Sequence, residues 1–128
     1  MSSSRPLDRL QDIIDNCDNV FKYTKGLDER SYETAPQMVR DAVEPCLQRI
    51  SEAAYKLGDS IDERHPNVDW LGFRGIGNIL RHGYDILDNK IIWATVSVEL
   101  PALKASAIKE RDFIKRKSAQ KDNQGPER

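Results

Sequence analysis

Residues 36–58, PQMVRDAVEPCLQRISEAAYKLG, carry a single apolar stripe. Val39, Ala42, Val43, Cys46, Leu47, Ile50, Ala53, Ala54 and Leu57 recur at steps of three and four, the spacing that gathers side chains onto one face of an α-helix. Pro36 suits the opening of such a helix, because the amide it lacks has no partner in a first turn, and Gly58 suits its end. A helix with one apolar face needs a second element to cover that face.

The residues upstream supply one. Leu7, Leu10, Ile13, Ile14, Cys17, Val20 and Phe21 follow the same rhythm, and Gly26 closes the run. Between the two lies the polar segment LDERSYETA, with room for one short turn. Two long helices joined by a short connection are expected to pack antiparallel. Downstream, DSIDERHPNVDW reads as a polar loop, since Pro66 disfavours helix at His65 and Asp69 is a good N-cap. A third helix is predicted from about Trp70 to about Arg81. Asp88 is the next candidate cap, and Ile92, Val96, Leu100 and Leu103 give a fourth helix that tolerates Pro101 or kinks there. From residue 109 to 128 the stripe is lost, and the chain is expected to be basic and frayed. With no strand pattern and no repeat, the expectation is an all-α, four-to-five-helix bundle: one domain over residues 1–128 with a core from about 7 to 108.

Composition agrees with one small core. The 128 residues are 38% hydrophobic and 32% charged, which is too apolar for a disordered chain and too short for two cores. No apolar run approaches the roughly 20 residues that cross a bilayer, and the N-terminus lacks the apolar segment of a secretory signal. A cytoplasmic protein with no membrane association is expected. Cys17 and Cys46 fall on the two stripes and are expected in the core as thiols. The net charge of −1 excludes a uniformly basic nucleic-acid binder but leaves room for local clusters. One such cluster holds seven Lys or Arg against two acids between Lys104 and Lys121.

Residues 70–88, WLGFRGIGNILRHGYDILD, hold four of the seven glycines: Gly72, Gly75, Gly77 and Gly83. Each glycine inside a helix costs about 1 kcal/mol against alanine. Close helix packing is the plain explanation, and a phosphate-binding loop is the weaker one, because no strand precedes the glycines and their spacing is wrong for it. At ~100° per residue, Arg74, Asn78 and Arg81 fall within ~60° of one another, with His82 toward the same side. Solvated arginines and a capping histidine are the ordinary reading. The same set also suits cutting RNA without metal: an imidazole exchanges a proton near neutral pH, and guanidinium stabilises charge on phosphate. His65 has no second histidine at ligand spacing, so no metal site and no cofactor are expected. Glu52, Asp85 and Asp88 are candidates for positioning a base or capping a helix. Trp70 and Trp93 are expected in the core.

Residues 65–103, HPNVDWLGFRGIGNILRHGYDILDNKIIWATVSVELPAL, together with ISEAAYKL upstream, resemble the HepT-like proteins of the HEPN superfamily over most of residues 7–105. The hallmark of that family is an arginine, four variable residues, a histidine, one residue and a tyrosine. The resemblance implies an α-helical bundle that forms a homodimer and brings two copies of the motif into one cleft. It also implies a metal-independent endoribonuclease, the toxin of a type VII-like toxin–antitoxin pair. An MNT-type nucleotidyltransferase antitoxin silences such toxins by adding AMP to the motif tyrosine. Carried over, the histidine is His82, the tyrosine Tyr84, and the asparagine that usually follows the arginine is Asn78. The arginine position, five before His82, is Gly77, and the nearest replacements are Arg81 and Arg74. Two functions stay open at this point. One is an RNase with His82, Arg81, Asn78 and Arg74 at its site and Tyr84 as its modified residue; the other is a non-catalytic HEPN module that binds a nucleotidyltransferase partner or a nucleotide.

Overall fold

The computed structural model describes residues 5–82 and 89–124. Among them are seven α-helices and no strand: α1 (Pro6–Tyr23), α2 (Glu29–Glu33), α3 (Gln37–Leu57), α4 (Ser60–Arg64), α5 (Trp70–Arg81), α6 (Asn89–Ala94) and α7 (Leu100–Gln124). A π-helical turn, Thr95–Glu99, joins α6 to α7. The expected all-α bundle is therefore present, with four long helical segments and two short ones.

The two apolar stripes meet as the spacing predicts. Leu10, Ile13, Cys17 and Val20 of α1 are fully buried, as are Val43, Leu47, Ile50 and Ala54 of α3. Arg49 reaches Asn16, while Arg9 and Lys56 share a groove one to two turns further along, so the two helices run antiparallel. Against α1 lies α7, with Lys104 paired to Asp18 and Arg111 reaching Gln11, again an antiparallel register. Against α3 lies α5, linked by Ser51 to the backbone at Arg74 and Gly77. Cys17 and Cys46 are both buried thiols, and desolvation pushes Cys17 up to about 12.

Helix ends follow local chemistry. Gly26 and Gly58 take positive φ, +81° and +80°, where a side chain would be strained, and they close α1 and α3. Asp28 and Ser31 form a reciprocal capping pair on α2. Asp69 caps α5 as expected, accepting the Gly72 amide at 3.0 Å. Its carboxylate then lies over Gly72 so closely that a Cβ there would collide with it.

Three expectations need correction. The segment read as a loop after Gly58 contains α4, whose Ile61 is buried and whose polar residues have specific partners. Tyr32, inside a segment read as merely polar, is fully buried and stacks near Trp93 with ring centroids 5.5 Å apart. Trp70 is buried as expected, and Trp93 packs against the core from a partly buried position. The third correction concerns the C-terminal segment, which continues as α7 to Gln124 and is anchored at Glu110, a residue only 4% exposed. The anticipated disturbance at Pro101 takes the form of the π turn just before it. Pro101 has no amide to bond residue 97, and the widened turn makes room for its ring.

By length and hydropathy, residues 90–120 contain a window apolar enough to cross a membrane, contrary to the sequence expectation. Within it Ile92, Val96, Leu100, Leu103 and Ala107 lie in the bundle core, whereas Ile91 and Val98 are exposed.

Candidate functional site

An open groove of about 520 Å³ runs between α3 and α5. One wall comes from α3, with Gln48, Arg49, Glu52 and Tyr55; the other comes from α5, with Arg74, Asn78 and Arg81. Its floor is set by Ser51. The Ser51 hydroxyl donates to the Arg74 carbonyl at 3.0 Å and accepts the Gly77 amide at 3.1 Å. A Cβ on residue 77 would stand 2.8 Å from Ser51 Oγ and 3.1 Å from Ser51 Cβ, so the two helices approach too closely for any side chain there. Close packing thus accounts for Gly77, the position where the hallmark arginine would stand.

Arg81 comes close to the same position. Helical side chains lean toward the N-terminus and cover the preceding turn. Accordingly, Arg81 Nη1 lies 3.6 Å from the Cβ position of residue 77. The Arg81 guanidinium therefore lies beside the backbone of the preceding turn at Gly77. Asn78 lines the groove beside it. His82 is exposed and forms the C-cap of α5, its backbone amide donating to the Asn78 carbonyl at 3.2 Å. The structure thus gathers Arg74, Asn78 and Arg81 in one groove, and His82 follows at the C-terminal end of α5, outside the residues that line the groove. Tyr84, Gly83, Asp85 and Asp88 lie outside the described residues.

The two arginines differ in what holds them. The Arg74 guanidinium donates twice to Asp62, at 3.0 and 2.5 Å, and also to the carbonyl of Gly58 at 2.7 Å. Those bonds hold the Asp62 carboxyl below its ordinary range and raise Arg74 further. Arg74 therefore ties α5 to α4 and to the end of α3. Arg81 is exposed and has no carboxylate partner among the described residues.

A second polar cluster lies away from the groove. Glu110 accepts from Arg64 at 2.9, 3.1 and 2.6 Å and pairs with His65 Nε2 at 3.0 Å. Burial pushes the Glu110 carboxyl up, but the bonds from Arg64 and His65 outweigh it and leave the group below its ordinary range. His65 is thus placed as a structural residue, and its carbonyl also accepts from Trp70 Nε1 at 2.9 Å.

Sequence reasoning took the α5 wall from its motif and left the α3 wall unread, apart from Glu52. Gln48, Glu52 and Tyr55 follow one another at steps of four and three on the face opposite the buried stripe. An exposed tyrosine on that polar face was the available signal.

The fold is an all-α bundle, and the groove on it is lined by Asn78, Arg74 and Arg81 of the helix that His82 caps. The chain belongs to the ribonuclease HepT-like family, whose model matches residues 13–110. It is 33% identical over 95 residues to a Methanocaldococcus jannaschii protein named "Putative RNase MJ1380", covering 74% of this chain and 86% of the relative. A Caldanaerobacter subterraneus protein named "Putative RNase TTE0752" is 30% identical, covering 80% of this chain and 89% of the relative. The "Probable ribonuclease HepT" of Thermococcus cleftensis is 25% identical, covering 81% and 94%. No solved structure matches the chain at a significant level.

Proposed function

We propose that this chain is a cytoplasmic HepT-like toxin, an endoribonuclease that cuts RNA without a metal. The observation that carries this reading is the position of Arg81, whose guanidinium lies over Gly77 within one turn of His82. In the proposed reaction His82 takes the proton from a ribose 2′-hydroxyl, the 2′-oxygen attacks the adjacent phosphorus, and the bond to the 5′-oxygen breaks. Arg81 stabilises the charge that builds on the phosphoryl oxygens, and Asn78 orients the phosphate. Arg74 acts by fixing α5 against α3 and α4. The departing 5′-oxygen needs a proton, and the His82 of a second subunit is suited to give it.

A homodimer is part of the proposal. Leu71 is 78% exposed, and the Cβ position of Gly75, one turn on, meets nothing within 4 Å. Such a face admits close approach of a second copy of α5. From the family resemblance, the partner that silences the toxin is an MNT-type nucleotidyltransferase that attaches AMP to Tyr84. A bulky anion beside His82 would block the groove and repel RNA phosphate.

The test is incubation of the purified protein with total RNA in EDTA, alongside His82→Ala. Cleavage that persists in EDTA and disappears in the variant supports the reading. A folded wild-type protein that cuts nothing points to the non-catalytic module instead.

A further inference from the structure

The two walls of the groove carry different chemistry. The α5 wall offers Arg81 and Asn78, which suit a phosphate. The α3 wall offers Gln48, Glu52 and Tyr55, together with Arg49, whose guanidinium turns toward Asn16 of α1 and the Cys46 thiol. Tyr55 is 72% exposed, a large ring held at the groove with most of its surface open to solvent. Glu52 is a poor neighbour for a phosphate. Its carboxylate accepts hydrogen bonds only, and although Lys56 lies 3.3 Å away, an exposed pair of that kind leaves it available. An aromatic face, an amide and an acceptor-only carboxylate on successive turns of one helix match the faces and edges of a nucleobase.

We infer that the α3 wall is a recognition site for one unpaired base bearing an exocyclic amine. Tyr55 stacks on the base, and Glu52 and Gln48 take its edge. Adenine and cytosine offer an amino group to Glu52 where uracil offers a carbonyl oxygen, so the site selects against uracil. The base on α3 and the phosphate on α5 then belong to the same or adjacent nucleotides, which fixes the strand across the groove. This inference rests on the RNase reading for its substrate class, but its binding step stands apart from cleavage.

The experiment uses the full chain with fluorescein-labelled octamers of adenylate, cytidylate and uridylate, 2′-O-methylated so that they bind without being cut. Anisotropy should give binding of the adenine and cytosine octamers about tenfold tighter than the uracil octamer. Tyr55→Ala should weaken the two preferred octamers about tenfold, the scale of one lost stacking contact, while Tyr55→Phe stays within about twofold of wild type. Glu52→Gln, which can donate as well as accept, should erase the discrimination. Equal binding of all three octamers by the wild type overturns the inference, as does wild-type binding by Tyr55→Ala. It is equally overturned if sedimentation shows Tyr55→Ala to be monomeric where the wild type is dimeric, for Tyr55 is then a subunit contact. Unmodified octamers read the other hypothesis: a wild type that prefers adenine but cuts nothing sinks the RNase reading alone, and one that cuts without preference sinks the base site alone.

Discussion

Ser51 and Gly77 are joined across the α3 and α5 interface by a hydrogen bond of 3.1 Å that leaves no room for a Cβ on residue 77. Gly77→Ala should therefore destabilise the protein by about 1–3 kcal/mol through overpacking, even though alanine is the better helix former. Urea denaturation measures this. Combining it with Ser51→Gly should recover part of the loss; full additivity of the two changes would show that they do not meet.

Arg81 and Arg74 should separate catalysis from stability. Arg81→Ala is expected to cut cleavage by about 10² to 10³ with an unchanged unfolding midpoint, the scale for losing one preorganised charge stabiliser. Arg74→Ala should lower stability by about 1–3 kcal/mol, because it strips Asp62 and two backbone carbonyls of their donor. The reverse pattern, with cleavage lost only in Arg74→Ala, would transfer the phosphate role to Arg74.

Acid should loosen the bundle through Glu110. Its folded-state pKa lies below the ordinary 4.5, so its contribution is complete above that value and disappears as pH falls through the depressed one. Urea midpoints measured from pH 7 to pH 3 should fall with acidification, and Glu110→Gln should show a shallower fall after an initial loss of about 2 kcal/mol at neutral pH. Identical slopes would place the acid sensitivity elsewhere.

Leu71→Asp should convert the proposed homodimer to a monomer by setting like charges against each other across α5, and cleavage should fall with it. Light scattering at micromolar concentration reads the first effect. A Leu71→Asp protein that remains dimeric would move the interface to another face. Co-expression with a cognate nucleotidyltransferase should add the mass of AMP to Tyr84, as read by mass spectrometry of the digested chain.

The bundle was legible because burial follows period. Of the stripe residues of α1 and α3, all but Leu7 and Ala42 lie in or against the core, and Asp69 caps where its side chain suggested. The α4 helix escaped because a five-residue element has no room for periodicity; what holds it is Arg74 and Glu110, partners 12 and 46 positions from Asp62 and Arg64. Tyr32 escaped for the same reason, being the one large apolar group in the five residues of α2. At the site, the motif named the α5 residues, but the roles of Arg74 and Arg81 depend on which of them meets a carboxylate in three dimensions. That is a property of packing, and residue spacing does not carry it.

The short helix α4 grips in two directions: Asp62 holds Arg74 of α5, and Arg64 holds Glu110 of α7. Partial unfolding that releases one grip exposes the other, so α5 and the middle of α7 should open as a single cooperative unit. Deuterium exchange would then report similar protection for backbone amides around Arg74 and around Glu110, although 36 residues separate them in sequence. A change at Glu110 that frees Arg64 would in this way bear on Arg74, and so on the groove that Arg74 lines.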